Sequence, residues 1–133
     1  MSARRLLVAL ACASSLFIVA PAAASAACTP AASAPTVVGG QIFGHGSISC
    51  NVGTSYKYQL CLQQQVIVRG GSYWSTFSCS SVIARSGSVT ASYSWGSNCV
   101  LSNGILNRSA LTLWFPGSSP QTVYSSSTRI FCP

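Results

Sequence analysis

YKYQLCLQQQVIVRGGSYWSTFSCSSVI occupies residues 56–83, and its two halves alternate in character around Arg69-Gly70-Gly71-Ser72. In the first half a period of two places Tyr56, Tyr58, Leu60 and Leu62 on one face and Lys57, Gln59, Cys61 and Gln63 on the other. That is the pattern of a half-buried β-strand. Glycine supplies the positive φ of a tight turn, so the stretch predicts a β-hairpin. Pairing centred on Gly70 sets Cys61 opposite Cys79, each nine residues away. Opposed strand residues hold their Cβ atoms roughly 4.5 to 5.5 Å apart, close to what a disulfide needs, so Cys61–Cys79 is the expected bridge.

The chain downstream repeats the pattern. Residues 88–96 alternate Val89, Ala91, Tyr93 and Trp95 against Ser and Thr, residues 105–115 alternate Ile105, Asn107, Ser109, Leu111, Leu113 and Phe115, and residues 121–132 form a last alternating run. Turn residues separate them at Arg85-Ser86-Gly87, Ser102-Asn103-Gly104 and Pro116-Gly117-Ser118-Ser119-Pro120. Residues 48–52 add a short strand upstream. About six or seven strands without one amphipathic helix predict an all-β fold: an antiparallel, immunoglobulin-like, disulfide-linked β-sandwich over residues 48–133. The tryptophans Trp74, Trp95 and Trp114 are expected in its core.

Residues 1–26 combine a basic start (Arg4, Arg5), the apolar run LLVALACASSLFIVA and the small-residue ending Ala24-Ser25-Ala26. This predicts a secretory signal peptide and an extracellular protein; the apolar run is shorter than the ~20 residues of a membrane span. Its removal takes Cys12, Arg4 and Arg5 and leaves 107 residues with six cysteines: Cys28, Cys50, Cys61, Cys79, Cys99 and Cys132. A chain of this size gains modest stability from its core alone, and three disulfides would each add roughly 2 to 4 kcal/mol. The partners of the four cysteines other than Cys61 and Cys79 stay open. No Cys-x-x-Cys pair exists and His45 is the lone histidine, so neither a metal nor another cofactor is expected.

The chain contains no aspartate and no glutamate. Paired carboxylates, a Ser-His-Asp triad and carboxylate cages for calcium are therefore unavailable, and no enzyme is expected. The five cations left after export, Lys57, Arg69, Arg85, Arg108 and Arg129, are scattered singly. Nucleic-acid binding would need them clustered among exposed aromatics. Their sign suits an anionic envelope polymer as a partner.

Residues 27–47 are rich in Ala, Pro, Ser and Gly and show no sustained period. They are read as an extended arm with one or two short strands, either packed on the domain as a first strand or offered to another protein, with Val37, Val38, Gly39, Gly40, Ile42 and Phe43 as its partner-binding segment. Val37-Val38-Gly39-Gly40 resembles the activated amino terminus of trypsin-like proteases over those four residues only, and a chain lacking aspartate is no such protease. His45, between Gly44 and Gly46, is expected in a loop.

Tyr56-x-x-x-Leu60-Cys61-Leu62-Gln63, followed by Trp74, Cys79, Cys99 and Cys132, resembles a group of small secreted immunoglobulin-like sandwich proteins of filamentous actinobacteria. Some similar proteins are adaptor subunits of umbrella toxin particles, joining a lectin-bearing chain to the toxin chain through a projecting arm. The resemblance implies a secreted, non-catalytic protein-binding module acting as an adaptor in an extracellular assembly, with residues 37–43 as the arm. The alternative is a free-standing basic antimicrobial or cell-envelope-binding protein.

Overall fold

The computed structural model describes residues 28–51, 53–86 and 91–133. The expected leader, Val52 and Val89 lie outside the described residues. The strands are β1 (Cys28–Val38), β2 (Gln41–Cys50), β3 (Ser55–Val68), β4 (Gly71–Cys79), β5 (Ile83–Ser86), β6 (Ala91–Asn98), β7 (Leu106–Trp114), β8 (Gln121–Tyr124) and β9 (Thr128–Arg129), with a 3₁₀ turn at Cys99–Ser102.

One sheet has the order β1-β2-β6; in the other, β4 and β5 share one edge of β3 while β7 lies on the far side and carries β8 and β9. The strands thus fill seven lanes of an antiparallel sandwich. It is immunoglobulin-like, with the fourth lane placed beside the third.

Both shared edges are interrupted by the same device. Ser80 donates its backbone N–H to the Leu60 carbonyl at 2.9 Å and accepts the Leu60 N–H on Oγ at 3.1 Å, while its hydroxyl donates to the Ser81 carbonyl. Ser125 repeats this against Ser109, with bonds of 2.9 and 2.8 Å and its hydroxyl on the Ser126 carbonyl. A serine side chain takes over a ladder bond where each strand bends, so no buried amide is orphaned.

On β3 the predicted inward residues Tyr56, Tyr58, Leu60 and Leu62 are buried. They pack with Ile48, Leu111 and Leu113 in one part of the core and with Ile42, Cys99 and Ile130 in the other. Cys61 is bonded to Cys79. The turn sits at Arg69-Gly70, with Val68 opposite Gly71, and a bulge between Leu62 and Gln63 shifts the register so that Cys61 meets Cys79. The bridge Cys28–Cys50 closes the open end of the β1–β2 hairpin, and Cys99–Cys132 ties the turn after β6 to the segment after β9, joining the two sheets.

Three expectations need correction. Residues 27–47 were expected as an arm outside the 48–133 sandwich, free or packed on it as a first strand; residues 28–47 are instead β1 and most of β2, two full strands of an integral hairpin that turns at Gly39 and Gly40, both at positive φ. Val37 is half-buried, Ile42 is fully buried, and Phe43 pairs with Gly96. The inward face of β2 reads Ile42, Gly44, Gly46, Ile48; a Cβ on Gly44 or Gly46 would lie 3.1 Å from Leu62 or Leu111. His45 accordingly lies in a strand, its Nε2 2.7 Å from the Thr36 hydroxyl. Of the tryptophans only Trp95 packs against the core; Trp74 and Trp114 occupy outward positions of the larger sheet.

Composition and burial together predict an unusual pH response. Acid denaturation is driven mostly by carboxylates that take up protons on unfolding, and this chain has no carboxylate side chain. Burial raises Tyr58 above its ordinary value of 10.0, opposed by Arg85. A raised folded pKa contributes stability that is complete below the unfolded pKa and is lost as pH climbs through the folded one. The thermal midpoint should stay nearly level from about pH 3 to pH 9 and fall above about pH 10. A steep loss on acidification below about pH 5 would contradict this.

Candidate docking surface

β3 outruns its neighbour. Pairing with β7 ends at Gln64 opposite Asn107, whereas pairing with β4 continues from Gln65 opposite Trp74 to Val68 opposite Gly71. The tip of the β3–β4 hairpin therefore extends beyond the sandwich as a two-stranded ribbon. It carries Ile67, 81% exposed, together with exposed Val68 and Tyr73.

The register places other loops at the same end. Gln41, at the β1–β2 turn, pairs with Asn98, just before the 3₁₀ turn, and the Cys99 N–H donates to the Gly40 carbonyl. The carboxy-terminal segment joins them: the Gly104 N–H donates to the Ile130 carbonyl, the Ile130 N–H to the Ile105 carbonyl, and the Cys132 N–H to Asn103 Oδ1. This end thereby also displays Val38, Val100 (72% exposed) and Phe131 (69% exposed). Six of the eight exposed large apolar side chains among the described residues are gathered here. Concentration of this kind marks interaction surfaces, whereas isolated exposed apolar residues do not. A groove of about 370 Å³ separates the hairpin from the loop entering β7, lined by Gln64, Ile67, Ile105 and Arg129 among others.

Beside the hairpin, on the outer face of the larger sheet, Arg108 lies between two aromatic rings. Its guanidinium carbon is 4.3 Å from the Trp74 ring centroid and 4.0 Å from that of Tyr124. Nε donates to Gln63 Oε1 at 2.8 Å, and Gln63 Nε2 donates to the Thr76 hydroxyl at 3.0 Å, which fixes the amide's orientation. Burial lowers the Arg108 pKa from its ordinary value, with Tyr124 acting in the opposite sense.

Comparison with known proteins decides neither the fold nor the function. No protein-family model matches the chain, and no curated protein matches its sequence. Solved structures similar to it include the sporulation control protein Spo0M of Bacillus subtilis (TM-score 0.42, 10% identity, 78% of this chain and 47% of that one). The solution structure of R. palustris CsgH matches with a TM-score of 0.36 and 15% identity over 74% of this chain and 86% of that one. Catalytically inactive OgpA of Akkermansia muciniphila, solved with an O-glycopeptide, gives 0.40 and 11% over 76% and 28%. The chain spans about half the length of the Spo0M structure. At these values the likenesses assign no function.

Of the segment read as the partner-binding arm, Val38, Gly39 and Gly40 form a turn at this end, while Ile42 belongs to the core. Sequence reasoning missed Ile67, Val68, Tyr73, Val100, Phe131 and the Arg108 stack. One signal was present: Val66-Ile67-Val68 abandons alternation just before the turn, which is costly in an exposed strand unless those residues meet something. Among the described residues all six cysteines are paired, and no group of metal-ligating side chains occurs. No helix among them is long and apolar enough to cross a membrane.

Proposed function

We propose that this protein is an exported, non-catalytic module that binds another secreted protein through the apolar end built by the β3–β4 hairpin, the β1–β2 turn, the 3₁₀ turn and the carboxy-terminal segment. The gathering of exposed apolar side chains at that one end carries the reading. Three disulfides suit the oxidising space outside the cell. An adaptor subunit of a toxin-type assembly is the specific role that fits, with the hairpin, in place of residues 37–43, as the projecting element.

The double variant Ile67→Asp, Val68→Asp tests the reading. Both side chains are exposed, so the thermal midpoint should hold within about 2 °C. Purified from the producer's medium at near-physiological salt, the native protein should emerge with larger secreted chains in fixed ratio, and the variant alone. A variant that keeps those chains would refute the proposal.

A second reading has its own observation. At the opposite end of the larger sheet, a cavity of about 600 Å³ is lined by Lys57, Arg85, Trp114 and Phe115 among others. Cations beside aromatic rings suit an anionic envelope polymer. A native protein that emerges alone, and binds cell envelopes only at low salt, would favour that reading.

A further inference from the structure

The Arg108 stack leaves one edge of its guanidinium open to an anion. The guanidinium carbon lies over the rings of both Trp74 and Tyr124, and its Nε is held by Gln63. The open edge is the one bearing the Nη groups, which meet no acceptor among the described residues. No aspartate or glutamate exists in the chain to supply one. A planar guanidinium fixed in this way is preorganised for bidentate pairing, because the rotamer freedom that pairing would remove has already been lost.

We propose that the Arg108 fork receives the carboxylate of an aspartate or glutamate side chain on the docked protein. The proposal rests on the docking reading above. It commits the occupant of the apolar end to an acidic protein segment, for two reasons. First, Arg69 stands at the tip of the hairpin and Arg129 lines the groove at its base, so with Arg108 three of the five cations of the exported chain surround this end. Second, the stack is continuous with the apolar surface: Gln65, opposite Trp74, is followed two residues later by exposed Ile67. An apolar centre beside an arginine anchored among aromatic residues has the composition of an interface hot spot. Acidic side chains opposite such an arginine would fix the orientation of the complex.

The test uses the whole exported chain and a display library of random 16-residue peptides, selected on the native protein and re-measured on variants. Peptides that bind should carry Asp or Glu beside apolar residues. Arg108→Gln should weaken them about ten-fold or more, and Arg108→Lys, which keeps the charge but lacks the fork, should restore little of the loss. Ile67→Asp should abolish them. If binders show no preference for acidic residues, or tolerate Arg108→Gln, the carboxylate proposal falls; should Ile67→Asp still abolish them, the docking reading stands. If binders ignore Ile67→Asp as well, both fall. A fork that instead binds polygalacturonate with Arg108-dependent affinity, while the peptides lack acidic preference, assigns the site to an acidic glycan and overturns the proposal. Arg108→Gln acting through stability alone would lower the thermal midpoint and weaken acidic and neutral peptides equally, which also overturns it.

Discussion

Replacing Cys99 and Cys132 together with alanine should lower stability by roughly 3 to 4 kcal/mol, the loop-closure entropy of a 33-residue crosslink. For a domain of this size the thermal midpoint should fall by about 10 to 20 °C. The bridge joins the turn after β6 in one sheet to the tail after β9 in the other, and Cys99 is fully buried against Ile42, Leu62 and Ile130. Losing it also removes packing and releases the chain neighbours of the two cysteines, Phe131 and Val100. The same double variant should therefore weaken docking beyond what its stability explains. Scanning calorimetry and a binding measurement well below the midpoint, side by side, check both parts. A midpoint within about 3 °C of the native value would mean that the sheets hold together without the crosslink.

Ser109→Ala should have an effect out of proportion to one hydroxyl. Ser109 is fully buried on β7, yet its hydroxyl serves the opposite sheet: Oγ accepts the His45 N–H at 3.0 Å and donates to the Ser33 carbonyl at 2.7 Å. Those two groups need it because β1 bulges between Ser33 and Thr36, where Pro35 has no N–H to offer the ladder. Gly44 makes the approach possible, since a Cβ there would lie 3.2 Å from Ser109 Oγ. Truncation leaves a half-buried donor and a half-buried acceptor without their partner, at about 1 kcal/mol for each group. Ser127→Ala, at an exposed position, should cost almost nothing. Equal urea midpoints for the two variants would show that the bulge finds other partners.

The strands that were legible in the sequence are those whose inward residues are large. Tyr56, Tyr58, Leu60 and Leu62 announce β3 because alternate side chains must fill the space between the sheets. β2 obeys the same rule with Ile42, Gly44, Gly46 and Ile48, but Leu62 and Leu111 press so close that glycine is required twice, and the alternation vanishes from view. The Cys61–Cys79 pairing could be drawn from the turn alone, although the turn itself sits at Arg69-Gly70 and a bulge makes up the register. The docking surface was not legible for a different reason. It depends on β3 running four residues beyond the point where β7 stops, on bridge Cys99–Cys132 carrying the tail back to the 3₁₀ turn, and on Arg108 and Trp74 meeting across β3. Each is a property of pairing between distant segments, which local periodicity does not encode.

The measurement that bears most directly on the account is site-specific photocrosslinking in the exported protein made by its own producer. A photoreactive residue placed at Ile67 should yield one discrete adduct with a larger secreted protein. The same residue at Thr29, exposed at the opposite end of β1, should yield none. Equal adducts from both positions, or none from Ile67, would contradict docking through the apolar end.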